Sequence, residues 1–244
     1  MRALSEYELL NAWEQGQCQT PPVRALILLA SSCPEFSLDF ITGLPIGKRD
    51  SFLLTLREIT FGHLVLGLTR CPECSESLEL DFDVDDLRSR SESKSGSENS
   101  ISLSGYDLEI RPFNTYDLQS IVRSKDVSSA RNELLRCCIL RVQYQGNDIS
   151  PDQLPSAVIE AVEAKLEEID PQADVRLALS CPSCSYKWEE PFDIVSFFWT
   201  EIDSWARHIL REVQALAGKY GWSESDILSL SPIRRRIYLE MAVQ

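Results

Sequence analysis

Two cysteine pairs of identical CPxC spacing, Cys71/Cys74 and Cys181/Cys184, constrain this chain more than any other feature of its sequence. Each pair offers two soft sulfur ligands, and two pairs complete the tetrahedral set that a structural zinc ion prefers. In a contiguous zinc ribbon the spacer between pairs is only about 15–20 residues. Here residues 75–180 separate the pairs. One zinc ion would therefore join two distant stretches of chain, and a small domain must fill the spacer.

Two other interpretations of these cysteines stay open. The pairs can be separate thiols on unrelated loops, or a redox centre, because a CPxC turn at a helix amino terminus has a lowered thiol pKa. Each pair here follows one predicted strand and precedes another, so no helix would stabilise a thiolate. A closed four-sulfur site also leaves no position for a substrate, which disfavours a catalytic zinc. The sequence therefore favours one structural zinc.

Composition places the chain among soluble globular proteins of one or two domains, with 244 residues, 43% hydrophobic and 25% charged. The net charge of −14 disfavours nucleic acid and anionic membranes as partners. No apolar run reaches the roughly 18 residues that span a bilayer. Glu6, Glu8 and Glu14 stand where a signal peptide would be apolar. We expect a cytoplasmic protein with reduced cysteines and no membrane insertion.

Hydrophobic periodicity predicts an α+β fold built around a split four-cysteine zinc ribbon. Period-two alternation on both sides of each cysteine pair predicts two strand, knuckle, strand units. Helical patterns dominate both ends of the chain, and the spacer mixes strands with helices. We expect six segments: a helical amino-terminal region (1–62), a first zinc knuckle with its strands (63–87), a flexible Ser-rich loop (88–102), a small α+β insertion (103–172), a second zinc knuckle (173–193) and carboxy-terminal helices (194–244).

Capping residues predict where several helices begin. Ser5 and Glu8 form an S-x-x-E capping box, which predicts a first helix over residues 6–15. A later helix should begin near Asp50, and Thr115 should cap a short helix within the insertion. The longest helix should carry an apolar stripe at intervals of three and four and should end at its glycines. Its residues are Phe198, Ile202, Trp205, Ile209, Val213, Leu216 and Tyr220, and the predicted stops are Gly218 and Gly221.

The only compact basic run of the chain opens its last helix. Cations are disfavoured in a first helical turn by the helix dipole, so acidic groups should offset this run. Glu224 and Asp226 are the intramolecular candidates that we favour. An acidic partner surface is a second explanation, and nucleic acid is a third that the overall charge weakens. Because aromatic residues beside arginines are typical of protein interfaces, we assign partner binding to Trp222, Arg234, Arg235, Arg236 and Tyr238.

Motifs for catalysis are absent from the sequence. It contains neither G-x-x-x-x-G-K nor G-x-G-x-x-G, so nucleotide binding has no support. The two histidines, His63 and His208, make neither a zincin motif nor a triad. We therefore expect a protein that is not an enzyme, with no catalytic residues and no small-molecule substrate.

Three stretches of the chain carry a resemblance to a known family: LPIGKRDSFLLTLREITFG before the first cysteine pair, CPSCSYKWEEPFDIVSFFWTEI, and REVQALAGKYGWSESDILSLSPIRRRIYLEM. The chain resembles the T-even-phage type of baseplate hub assembly chaperone, found in contractile tails and tail-like contractile injection systems. The resemblance implies a non-enzymatic protein that helps to assemble the central hub. Its partners would be hub, spike or tail-tube proteins.

The resemblance also bears on location and on the alternatives. It implies the cytoplasm of a bacterium or of a phage-infected host, and it leaves open whether the protein stays in the finished particle. It does not itself imply zinc, which rests on the cysteine spacing. Two further hypotheses remain: a zinc-ribbon protein that binds nucleic acid through the arginine run, and a thiol-disulfide oxidoreductase.

Overall fold

A computed structural model describes residues 1–88 and 99–242 as a mixture of helices and antiparallel strands, which confirms the predicted α+β class. The helices are α1 (Glu6–Gly16), α2 (Pro21–Ser32), α3 (Leu38–Thr42), α4 (Ile46–Phe61), α5 (Thr115–Ser120), α6 (Val127–Cys138), α7 (Ser156–Ile169), α8 (Ile194–Tyr220), α9 (Glu224–Leu228) and α10 (Pro232–Ala242). The strands are β1 (Leu64–Arg70), β2 (Ser77–Asp83), β3 (Ser100–Leu103), β4 (Tyr106–Ile110), β5 (Ile139–Tyr144), β6 (Asn147–Asp148), β7 (Arg176–Ser180) and β8 (Lys187–Pro191).

Most of the predicted Ser-rich loop over 88–102 lies outside the described residues, which resume at Asn99. The loop prediction is wrong at its end, because β3 already begins at Ser100 and pairs with β4. Ile101 explains the difference, since this single apolar residue packs against the core of the insertion. The six-segment division of the chain remains a prediction.

The main core lies between α1, α2, α4 and the first half of α8. Phe198 and Ile202 of α8 are fully buried there, together with leucines from α2 and α4. Gly16 ends α1 against the ring of Trp199, and a Cβ atom at this position would lie 2.2 Å from that ring. The close contact of α1 with α8 therefore requires glycine at position 16.

The start of α1 confirms the capping prediction. The Ser5 hydroxyl accepts a hydrogen bond from the Glu8 amide at 3.3 Å, and the Glu8 carboxylate accepts one from the Ser5 amide at 2.9 Å. The prediction for α4 is wrong, because this helix begins at Ile46 and not near Asp50. Its first amides have partners in the insertion: Ile46 donates to the Phe113 carbonyl and Gly47 to the Asp170 carboxylate, both at 2.9 Å. Such partners are distant in sequence, so the local pattern does not show them.

The predicted cap of α5 is also wrong by one residue. Asn114 is the cap, and its side chain accepts from the Asp117 amide at 3.1 Å. Thr115 is instead the first residue of the helix, and its buried hydroxyl accepts a hydrogen bond from Arg49 at 3.3 Å. Both residue types can cap a helix, and the tertiary contact with α4 decides which one does.

The residues between the two cysteine pairs form a second core. Strands β3 to β6 make an antiparallel sheet in chain order. Apolar side chains of β4 and β5 pack against α6 and α7, with Val162 of α7 fully buried. This unit contacts the main body where residues 170–173, which follow α7, lie against the amino-terminal end of α4.

Helix α8 spans the structure and follows the predicted apolar stripe. Its first half belongs to the main core, and Ile209, Val213 and Leu216 of its second half pack against α9 and α10. Gly221 ends the helix with a positive φ of 70°, as predicted for a glycine stop. Gly218 lies inside the helix, so the prediction that it is a stop is wrong.

Arg235 connects α10 to two other helices. Only 3% of this residue is exposed, and its guanidinium donates to Glu212 of α8 at 2.6 Å and to Glu6 of α1 at 2.8 Å. The predicted pairing of the arginine run with Glu224 and Asp226 is therefore wrong for Arg235. Asp226 instead caps α9 with Ser223. The helical register turns Arg235 inward, where the acidic groups of α1 and α8 lie.

We expect Arg235→Ala to lower the free energy of unfolding by about 3–5 kcal/mol, because it leaves two partly buried carboxylates without their cation. The measurement is chemical denaturation. Arg234→Ala is the matched control, since Arg234 is exposed in the adjacent position of the same helix. Equal stabilities of the two variants would contradict this role for Arg235.

Asp50 makes stability depend on pH. Burial raises the pKa of its carboxyl to about 6, although neighbouring Arg49 favours the charged form. In the unfolded chain the pKa is about 3.9. The unfolded state therefore loses this proton first, and the contribution of Asp50 to stability falls as the pH rises from about 4 to about 6.

We expect Asp50→Asn to remove this titration while it keeps an oxygen that can accept from Arg49. The free energy of unfolding of the variant relative to the native protein should then rise between pH 4 and pH 6. Denaturation series at several pH values measure the difference. A difference that stays flat or falls across this window would refute the assignment.

Candidate metal centre

The two cysteine pairs lie in the turns of two antiparallel hairpins with the same backbone design. In the first hairpin the Cys71 amide donates to the Glu76 carbonyl and the Ser75 amide to the Cys71 carbonyl, both at 2.9 Å. The second hairpin repeats both bonds, with Cys181, Tyr186 and Ser185, at the same distances. Ser75 and Ser185 each have a φ of 61°. The two CPxC motifs therefore form two equivalent turns.

The fold brings the four sulfur atoms together. All of them lie within 4.8 Å of one another. Cys71 Sγ is 3.6 Å from Cys184 Sγ, and Cys74 Sγ is 3.6 Å from Cys181 Sγ. A disulfide would require about 2.05 Å, whereas the edge of a tetrahedron with zinc–sulfur bonds of 2.3 Å is about 3.8 Å. The spacing matches a tetrahedral metal site.

Backbone amides also point at the sulfurs. The amides of Cys184 and Ser183 donate to Cys181 Sγ and lower the pKa of that thiol to about 7. The Tyr186 amide bonds to Cys184 Sγ in the same way, but desolvation and the neighbouring cysteines outweigh it and raise the pKa of Cys184 to about 12. One thiolate is thus stabilised at the expense of the others. Four thiolates in this space require a cation, and a soft divalent ion such as zinc suits the donor set.

The site is half-buried. Cys71 and Cys181 are buried, and Cys74 and Cys184 are exposed. Leu78 and Trp188 pack against the buried pair. Four ligands would complete the coordination shell of a zinc ion held here, which is the ligand set of structural zinc sites.

The surroundings of the turns do not favour redox chemistry. Each CPxC turn continues into a strand, β2 or β8, so neither pair lies at a helix amino terminus. Of the other cysteines, Cys33 and Cys138 are buried, as expected for small apolar residues. Cys137 is half-buried and Cys18 is exposed.

The residues assigned to partner binding lie together at one end of the molecule, but their surroundings differ. Trp222 and Tyr238 belong to an aromatic cluster with Tyr220, with ring centroids 4.7 and 4.9 Å from Trp222. Arg234 and Arg236 are exposed, whereas Arg235 is buried by its ion pairs.

Three apolar residues of α10 are missing from that assignment. Ile233, Ile237 and Met241 are exposed at intervals of four, so they form one apolar stripe on the helix. Their spacing was visible in the sequence. What the sequence did not show is that this face points away from α8.

The structure defines an α+β protein in which two hairpins present four cysteines with the geometry of a metal site. Over residues 4–199 the sequence matches the family described as T4 bacteriophage base plate protein, and the chain belongs to that family. No curated protein and no solved structure matches it significantly. The matched region contains both cysteine pairs, and α9 and α10 follow it. None of the described helices combines the length and the apolar character needed to cross a membrane.

We expect the purified protein to bind one zinc ion per chain and to protect four of its eight thiols from alkylation. Cys74→Ser should abolish this protection, because three sulfurs do not close the site. Cys18→Ser is the matched control, since Cys18 is also exposed and lies outside the cluster. Metal analysis and thiol counting test the prediction. Stoichiometric zinc in the Cys74 variant would contradict it.

Proposed function

We propose that this protein is a non-enzymatic assembly chaperone or scaffold for the baseplate hub of a contractile phage tail or contractile injection system. Membership of the T4 bacteriophage base plate protein family carries the proposal. The segment YGWSESDILSLSPIRRRIYL, which contains α9 and α10, resembles hub assembly chaperones, so the proposal includes these two helices. Its partners would be hub, spike or tail-tube proteins, met in the cytoplasm of the bacterium or infected host.

We propose that a structural zinc ion, bound by Cys71, Cys74, Cys181 and Cys184, stabilises this chaperone. The ion would hold the β1–β2 hairpin against the β7–β8 hairpin. It would thereby close residues 75–180 into a loop, which restricts the unfolded chain as other long-range crosslinks do. Because α8 begins directly after β8, the metal would also fix where this helix leaves the hairpins.

The carboxy-terminal helices are the proposed hub-binding face. Arg234 and Arg236 flank the exposed stripe of Ile233, Ile237 and Met241. Such a surface would fit an apolar patch with acidic residues around it, and the half-buried rings of Trp222 and Tyr238 would supply aromatic anchors at its edge. Arg235 would support this face from inside.

The two other hypotheses have weaker support. Arg235 is buried in ion pairs and is not accessible to nucleic acid, which leaves only two exposed arginines in the run. The net charge of −14 also repels the phosphate backbone. A thiol oxidoreductase would require an accessible thiolate of low pKa. Cys181, whose pKa is lowered, is buried, and the pKa values of the exposed thiols of Cys74 and Cys184 are raised.

Co-purification from cells that are building the particle tests the chaperone proposal. We expect the tagged native chain to recover hub, spike or tube components. Ile237→Glu together with Arg234→Glu should reduce the recovery about tenfold or more, because the partner face then repels an acidic surface. If the native, folded chain recovers no baseplate component, the proposal fails.

We expect Cys71→Ser, or removal of zinc by a chelator, to lower the free energy of unfolding by about 2–4 kcal/mol, the range found for long-range crosslinks. Solubility should fall as well, and no enzymatic step should be lost. Thermal denaturation with and without added zinc measures the effect, with Cys18→Ser as the control. An unchanged unfolding transition after complete zinc removal would show that the metal is dispensable.

A further inference from the structure

Strand β1 exposes a row of leucines. Leu64, Leu66 and Leu68 alternate along the strand and therefore share one face of the hairpin. Their exposed fractions are 49%, 64% and 79%, while Val65 between them is buried in the main core. The outer face of a two-stranded hairpin is ordinarily polar. An exposed apolar row of this kind is typical of a surface that another protein covers.

A row of carboxylates runs beside the leucines. In an antiparallel pair, directly opposite residues lie on the same face. The register of the hairpin therefore places the two rows side by side: Leu64 opposite Asp83, Leu66 opposite Asp81, and Leu68 opposite Glu79. Among the described residues, no cationic side chain forms an ion pair with Glu79 or Asp81.

The leucines and two of these carboxylates line a groove of about 1470 Å³ between the hairpin and α8. One face of α8 forms the opposite wall, including the rings of Phe197 and Trp205. Arg57 also lines the groove, but it is neutralised by Glu201 at 2.6 Å. The groove thus combines apolar walls with unpaired negative charge along one side.

We propose that this groove, lined by the β1 leucines, Glu79, Asp81 and α8, binds a segment of a partner protein that carries both apolar and basic residues. Apolar side chains of the segment would cover the leucines and the α8 rings, and its Lys or Arg residues would pair with Glu79 and Asp81. The net charge of −14 attracts such a cationic segment at long range. This proposal rests on the proposed function only where it identifies the partner as a baseplate protein.

A second copy of this chain is the competing occupant, because α10 itself carries Ile233, Ile237 and two exposed arginines. That contact would join different surfaces on the two copies, the groove of one and α10 of the other. Each dimer would then still have one free groove and one free α10, so copies would keep adding into open chains unless they closed into a ring. Two copies would also repel each other through their like net charge. Both facts favour a different protein.

Site-specific photo-crosslinking in cells that build the particle tests this proposal. A photoreactive phenylalanine derivative replaces Leu68 in the groove wall. In the matched control it replaces Leu140, which is 56% exposed on β5. We expect position 68 to crosslink to one baseplate protein, within a segment that contains apolar and basic residues, and position 140 not to do so.

A charge-reversal variant tests whether Glu79 and Asp81 attract the basic residues of the partner segment. Glu79→Lys combined with Asp81→Lys should lower the crosslinking yield at position 68 by about tenfold, because attraction to the basic segment becomes repulsion. Both residues are exposed on the hairpin, so the variant should keep the native unfolding transition, which denaturation checks.

Three results would overturn the proposal. The first is a crosslink between two copies of this chain, with oligomers in sedimentation that Leu66→Ser abolishes. The others are a crosslink within an acidic segment of the partner and equal crosslinking at positions 68 and 140. Absence of a crosslink at position 68 while hub components still co-purify refutes the groove and leaves the chaperone proposal standing. A basic, apolar crosslinked segment in a protein outside the baseplate supports the groove and counts against the chaperone proposal.

Discussion

The convergence of four cysteine sulfurs within 4.8 Å is the constraint on which the arrangement of this protein depends. It brings together two hairpins that are far apart in the chain, and each hairpin leads to a different part of the structure. The first follows α4 and carries the leucine row of β1. The second leads directly into α8, the helix shared by the main core and the carboxy-terminal core. The insertion lies between the two hairpins in the chain.

Buried arginines stabilise the same arrangement from the helical side. Arg57 of α4 pairs with Glu201 of α8, and Arg235 of α10 pairs with Glu6 and Glu212. Burial of a charge is costly, and a second charge offsets that cost only when the geometry is good. Each pair therefore keeps its partner only when the helices that it joins hold this mutual orientation.

The charge distribution suits a protein that contacts others at more than one place. The chain is acidic overall, yet α10 exposes arginines beside an apolar stripe, and the hairpin exposes carboxylates beside leucines. The two surfaces have opposite charge and belong to different cores. A scaffold that holds two components during assembly would require two such surfaces, whereas an enzyme would require a site with reactive groups.

The sequence by itself determined the features that depend on neighbours in the chain. Ser5 and Glu8 set the start of α1, Gly221 ends α8, and alternation around each CPxC pair sets the hairpins, because capping and side-chain periodicity act over a few residues. The equal spacing of the cysteines also indicated one metal site. Only the tertiary structure decided the early start of α4 through Asp170, the cap at Asn114 and the partners of Arg235. These depend on groups from distant segments, and a local pattern carries no information about which distant segment will lie beside it.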